Sequence, residues 1–316
     1  MKSEAPTVVN PSRTAALPPP TVPPLRSKRP PRSLTSQQYR VRSRTSKAVL
    51  YVLLVVAAIP FIYPILWMVF SSFKPASEIF AVPPRLLPDR WTLDAWPKVF
   101  TENPFLQQYA NSLYIAVVVT LLTIVVAALA GYAFARIRFP FAGGLFLLLL
   151  SGMMLPPEVT VIPIFRWASD LGLIDTHWPL ILLPVFGSGG IVATFVFRQF
   201  FLGLPAEIEE AARLDGLGRL QIFWRIAMPL AGPAIATVAI LQFLKSFNTY
   251  FEALIFLKTP EMLTVGVGLT RYQDMYGEPM WSTQLAATTL TVIPMLIVFL
   301  FAQRQFVESL SRTGLK

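Results

Sequence analysis

A chain of 316 residues that is 54% apolar and only 14% charged, with a mean hydropathy of +0.56, is too apolar for one or two ordinary soluble domains and reads as a membrane protein. The net charge of +10 resembles a nucleic-acid signal until it is located: residues 1–47 hold ten Lys/Arg against the single acid Glu4, so +9 sits in the tail and no nucleic-acid partner is expected. Cysteine is absent, which excludes disulfides, thiolate metal sites and cysteine nucleophiles, and the lone His177 forms no metal or catalytic cluster.

Residues 1–46 carry nine prolines, including Pro18, Pro19 and Pro20, and almost no apolar periodicity. Such a segment buries too little surface to offset its ordering entropy, so it is expected to be a disordered, basic arm attracted to anionic membrane lipid. It is too long and Pro-rich for a simple cleaved signal peptide.

A transmembrane domain is expected over 47–316. Six apolar runs follow, at about 48–70, 110–135, 141–164, 178–198, 229–257 and 284–303. Each approaches the roughly 20 residues that cross about 30 Å of hydrocarbon as a helix. Lipid offers the backbone no hydrogen-bond partners, so the fold class is an all-α membrane protein with six transmembrane helices. Interruptions are expected at Pro60 and Pro64, at Pro156, Pro157 and Pro163, at Gly187-Ser188-Gly189-Gly190 and at Pro294, as kinks for packing or as breaks lining a cavity. The tail and alternate connections hold 19 of the 27 basic residues, which places both termini and the connection before 229 in the cytoplasm.

That connection, "LPAEIEEAARLDGLGRLQIFWRIAMP", is a polar, sharply punctuated stretch between two apolar runs. Pro205 suits a helix start, and Glu207, Glu209 and Glu210 suit the positive end of the helix dipole. Ile208, Ala211, Ala212 and Leu214 are expected to form a small-residue face, with Asp215-Gly216 as the turn or C-cap. A second short helix is predicted over 219–227, before Pro229 opens the fifth span. Two readings stand open from the residues alone: docking geometry for a partner groove, or an amphipathic connector on the membrane surface. A DNA-binding helix-turn-helix is excluded, because three arginines against four acids leave no phosphate-attracting footprint.

Lys245, Asn248 and Glu252, at i, i+3 and i+7, are expected to share one face of the fifth span. A charge at a helix centre costs about 2.5 to 3.5 kcal/mol on insertion scales. These residues therefore either snorkel to the aqueous edge or line a translocation path.

The string Glu210-Ala211-Ala212, then Gly216, then Ile226 and Pro229, resembles the EAA motif of permease subunits in binding-protein-dependent ABC importers. "YANSLYIA", "LPPEVTVIPIF", "FNTYFEALIFL" and "QRQFVESLSRTGLK" extend the resemblance over about 48–316, to the smaller, maltose-type permease of the carbohydrate-uptake branch. Met228 replaces the usual Leu, Thr249 stands where an acid is common, and the basic arm has no counterpart.

The resemblance implies a coupling helix seated in an ATPase cleft. Glu210 would pair with a basic residue there, Ala211 and Ala212 would allow close seating, and Asp215 and Gly216 would make the turn, with Ile226 and Pro229 closing the motif. It also implies a larger second permease, a dimeric ABC ATPase that binds ATP and Mg, an extracytoplasmic sugar-binding protein, and a multi-pass place in a bacterial or archaeal inner membrane. The chain would carry no cofactor and no catalytic or metal site; no G-x-x-x-x-G-K-[ST] string occurs in it. Two other classes are weighed: an ion-coupled secondary transporter, which wants midplane carboxylates and internal repeats, and a membrane-tethered scaffold or regulator.

Overall fold

The computed structural model describes residues 36–313, with side chains described for 46–301 except Pro157. The described residues fall into two units, divided between Ile59 and Pro60. Helix α1 spans Ser36–Ser71, so the last residues of the sequence-defined arm are helical, while residues 1–35 lie outside the described residues. A connection then carries α2 (Ala76–Ile79) and α3 (Ala95–Thr101), and α4 (Phe105–Arg136) follows. Helix α5 (Ala142–Ser151) runs into a 3₁₀ turn (Gly152–Met154) before α6 (Pro157–Asp170). Next come α7 (Trp178–Phe186), α8 (Ser188–Leu202), α9 (Ala206–Leu214) and α10 (Arg219–Ile222). A π turn (Phe223–Ala227) leads to α11 (Met228–Leu230), α12 (Gly232–Phe247), α13 (Phe251–Phe256), α14 (Val265–Leu269) and α15 (Trp281–Thr313).

Among the described residues, four helical stretches are long and apolar enough to cross a membrane: Ser46–Ser71, Phe105–Arg136, Trp178–Leu202 and Trp281–Phe301. The count reaches six when each of two bent pairs serves as one span: α5 and its 3₁₀ turn with α6, bent by 100°, and Arg219–Leu230 with α12, bent by 76°. The interruption expected at Pro156 and Pro157 within the run 141–164 is thus a sharp bend, whereas the run 229–257, for which none was expected, is corrected to one that bends between Leu230 and Gly232. At the first bend Pro156 and Pro157 cannot donate backbone hydrogen bonds, and Leu155 is extended. At the second, Pro233 stands in the first turn of α12, and the π turn precedes Pro229, which likewise has no N–H to give the preceding turn. The interruption expected at Gly187-Ser188-Gly189-Gly190 separates α7 from α8 at Gly187, whereas the remaining prolines do not break their helices: Pro60 and Pro64 sit inside α1, Pro163 inside α6 and Pro294 inside α15.

Helix α4 is the central element of the second unit, packing on α7, α8 and α12. Small residues make this possible. A Cβ on Gly131 would lie 2.7 Å from the Phe197 Cβ and 2.9 Å from the Arg198 backbone nitrogen, so only glycine permits this α4–α8 crossing. Ala127, Ala128 and Tyr132 share a buried cluster with Ala193, Phe197, Phe201, Phe223 and Ala234.

At the opposite end of α4, the "YANSLYIA" segment holds a loop by its backbone. Asn111 Nδ2 donates to the carbonyls of Glu261 (2.8 Å) and Leu263 (3.0 Å), and Ser112 Oγ accepts from the Val265 N–H at 2.9 Å. His177 plays a similar part: its Nε2 donates to the Met262 carbonyl at 2.7 Å, which leaves Nδ1 to accept from the Tyr114 hydroxyl. Large apolar side chains such as Leu147, Leu148, Phe299 and Phe301 stand exposed, as expected of a surface that meets lipid.

Candidate coupling surface and translocation cavity

Helix α9 begins after Pro205 and ends in a Schellman turn. The Gly216 N–H donates to the Arg213 carbonyl and the Leu217 N–H to the Ala212 carbonyl, both at 3.0 Å, with Gly216 at φ +82°. Only a residue at ease with left-handed backbone ends the helix in this way. Residues 215–218 then lead into α10, and the two short helices with the turn between them make up the hook.

The faces of the hook differ from the sequence expectation. Glu209 and Ala212 are buried, at 6% and 4% exposure, whereas Leu214 is 90% exposed. Glu207, Glu210, Ala211 and Leu214, spaced i, i+3, i+4 and i+7, form the outward face. Ile208, Ala211, Ala212 and Leu214 therefore do not share one face: Ala212 packs inward on the protein's own helices, and Ala211 faces out. Ile226 is half-buried behind the π turn, and Pro229 is exposed within α11.

Sequence reasoning missed the residue that fixes this hook. Glu209 faces Arg136, at the end of α4, with Oε1 3.2 Å from Nε, and its Oε2 lies 3.7 Å from Arg213. Arg136 also donates from Nη2 to the Leu204 carbonyl at 2.5 Å. One buried carboxylate thus ties α9 to α4. Three neighbouring glutamates look alike in the sequence; the inward register shared with Ala212 is the signal that distinguishes Glu209. Beside the hook, Arg136, Arg138, Arg198, Arg213 and Arg219 line a cleft of about 700 Å³ together with Glu209 and Glu210. Glu210 makes no ion pair among the described residues.

The second site is a cavity of about 330 Å³ between the 3₁₀ turn, α6, the α7–α8 junction, α12 and α13. Gly187 interrupts the span Trp178–Leu202, and Cβ atoms on Gly189 and Gly190 would strike the Pro184 and Val185 carbonyls. Ser188, just past this break, accepts a hydrogen bond from Lys245 Nζ at 2.9 Å.

The expected shared face of Lys245, Asn248 and Glu252 is corrected. Helix α12 ends at Phe247, Asn248 is its C-cap, and Glu252 belongs to α13. Lys245 and Glu252 nonetheless meet at this cavity, whereas Asn248 is not part of its lining and caps its own helix by donating to the Leu244 carbonyl at 2.8 Å. The 76° bend also resets the depth count, which runs from Gly232 and puts Lys245 about 20 Å along α12. Its ammonium donates to Ser188, which lies near the middle of the Trp178–Leu202 stretch.

Comparison with known proteins agrees with this architecture. The family described as "Binding-protein-dependent transport system inner membrane component" matches residues 124–312. The arabinooligosaccharides transport system permease protein AraQ of Halalkalibacterium halodurans is 34% identical over 258 residues, 81% of this chain and 91% of that protein. The maltodextrin transport system permease protein MdxG of Bacillus subtilis is 32% identical over 273 residues, 86% and 96% of the two chains. A chain in the crystal structure of a bacterial ABC transporter involved in the import of the acidic polysaccharide alginate superposes with a TM-score of 0.71 at 25% identity, over 83% of this chain and 97% of that one. These likenesses decide against the ion-coupled and scaffold alternatives: the chain belongs to the family of membrane permease components of binding-protein-dependent ABC importers.

Proposed function

We propose that this chain is the translocation subunit of an ATP-driven importer for a carbohydrate or related polyol, and that the α9–α10 hook receives the stroke of a partner ATPase. The observation that carries the proposal is the division of labour within α9: Glu209 anchors the helix to α4, while Glu210, Ala211 and Leu214 are left outward for a partner. A helix tied at its back and free at its front moves as a lever with the element behind it. Asp215 and Gly216 hold the hook's angle, and Ile226 and Pro229 join it to α12 through the π turn.

In this reading Glu210 pairs with a basic residue of a dimeric ATPase, which binds ATP and Mg, and the chain itself hydrolyses nothing. A larger second permease and an extracytoplasmic sugar-binding protein complete the importer. The hook and both termini face the cytoplasm of a bacterial or archaeal cell, in keeping with the arginine-rich cleft beside the hook. In sequence, the basic segment 1–46 precedes the permease domain of 47–316. Lys245 and Glu252 line the path, with Asn248 at its edge. The carbohydrate assignment is carried over from relatives whose names specify arabinooligosaccharides and maltodextrin.

Glu210→Arg tests the hook directly, because among the described residues this side chain makes no ion pair that folding would miss. The variant complex is expected to reach the membrane, to lose its ATPase subunit on detergent purification and to stop ATP-driven sugar uptake. Normal uptake by Glu210→Arg would remove Glu210 from the coupling surface.

A further inference from the structure

The cavity at the α7–α8 break carries more polar groups than the stability of its walls requires. Ser246 is only 4% exposed, its Oγ has no hydrogen-bond partner, and it lines the cavity. A buried hydroxyl left unpaired is costly, and in native proteins such a group commonly awaits a ligand or water. Around it stand Ser188, Lys245, Thr249 and Glu252. Lys245 spends one of its three N–H donors on Ser188, whose own hydroxyl proton remains available. Thr249 donates to the Lys245 carbonyl at 3.3 Å and keeps its acceptor lone pairs. Glu252 also lines the cavity and adds a carboxylate, an acceptor, to this set.

From this array we infer that this subunit holds its own subsite for a single neutral, hydroxyl-rich sugar unit. The inference rests on the carbohydrate-permease reading and sharpens it. Alternating donors and acceptors match vicinal hydroxyls, each of which donates one hydrogen bond and accepts others. Phe251, in the same wall and 38% exposed, offers apolar surface to the C–H face of a ring. One ammonium and one carboxylate cancel, so the cavity has no net charge with which to select an anion. Its volume of about 330 Å³ lies at the small end of ligand sites, which run from about 300 to 1,000 Å³, and suits one ring of a chain passing through.

Absence of cysteine from the chain makes the test direct. Thr249→Cys places one thiol of this subunit in the cavity, and Met275→Cys places one on an exposed loop, where Met275 is 87% exposed. The assembled importer, with its ATPase and second permease, is reconstituted and its ATP-driven uptake of maltotriose, arabinotriose and sn-glycerol 3-phosphate measured. Labelling by a methanethiosulfonate reagent is then followed by mass spectrometry of this subunit.

The imported neutral sugar is expected to slow labelling of Thr249→Cys severalfold and to leave Met275→Cys unchanged. Adding Ser246→Ala should raise the protecting concentration about fivefold, the equivalent of one ordinary hydrogen bond. Unaltered labelling of Thr249→Cys in a complex that imports a neutral sugar overturns the subsite and leaves the permease reading intact. Protection by glycerol 3-phosphate alone overturns the neutral assignment. A complex that imports none of the three refutes the carbohydrate reading and the subsite with it.

Discussion

At the scale of single residues, Glu209 and Asp175 do comparable work by different means. Glu209 neutralises Arg136 in a buried setting, where the two side chains are 8% and 14% exposed. Their near atoms are poorly aligned for a hydrogen bond, so the attraction is mainly charge on charge. Glu209→Gln leaves the guanidinium buried without its counter-ion, and we expect a stability loss of about 3 kcal/mol, the lower part of the range for breaking a buried pair, since Arg136 keeps the Leu204 carbonyl. A change below about 0.5 kcal/mol in the unfolding of the purified protein would show that water already screens the pair.

Asp175 lies in the loop before α7 and staples it to the segment after α13. Its carboxylate accepts from the Thr259 hydroxyl, the Thr259 N–H (3.0 Å) and the Lys258 N–H (2.8 Å), which together hold its pKa below the usual carboxylate value. A depressed folded-state pKa means that the charge contributes in full above the unfolded value, about 3.9, and that this contribution is lost as pH falls through the folded value. Asn tolerates the left-handed backbone at this site, where φ is +61°. Asp175→Asn should therefore lower the thermal midpoint at pH 7 and converge with the natural protein as pH drops below about 4. A gap that persists unchanged at acid pH would contradict this assignment.

At the scale of elements, close packing and sharp bends share one vocabulary of Gly and Pro, and the sequence does not say which use each serves. Pro163 and Pro294 are absorbed inside α6 and α15, whereas Pro156-Pro157 end a helix and leave a 100° bend. Spans were legible because lipid demands long apolar runs, a one-dimensional property. Faces were not, since a face is defined only along an unbroken helix, and α12 stops at Phe247, before Asn248 and Glu252. The same reasoning placed Ala212 outward when it packs inward.

Two glycines test the opposite uses. Gly131→Ala drives a methyl group into the α8 backbone and should cost about 1 to 3 kcal/mol, read as a lower thermal midpoint of the assembled complex. Gly216→Ala meets no atom within 4 Å, so its cost is backbone strain alone, of order 1 kcal/mol, and Gly216→Asn should cost less. Gly216→Pro fixes φ near −65° and removes the N–H given to Arg213, so it should reach the membrane yet fail to couple hydrolysis to uptake. Normal uptake by Gly216→Pro would mean that the turn does not transmit force.

At the scale of the whole molecule, the account rests on the outward face of α9 being gripped by a foreign motor while the inward face grips α4. Because the chain has no cysteine, a thiol at Leu214 is unique within it, and Ala212→Cys supplies a buried control on the same helix. The decisive measurement is bismaleimide cross-linking of Leu214→Cys in a reconstituted complex that is importing its sugar. The account predicts a cross-linked product containing a nucleotide-hydrolysing subunit, and none from Ala212→Cys; an importing complex in which Leu214→Cys captures no such subunit would contradict it.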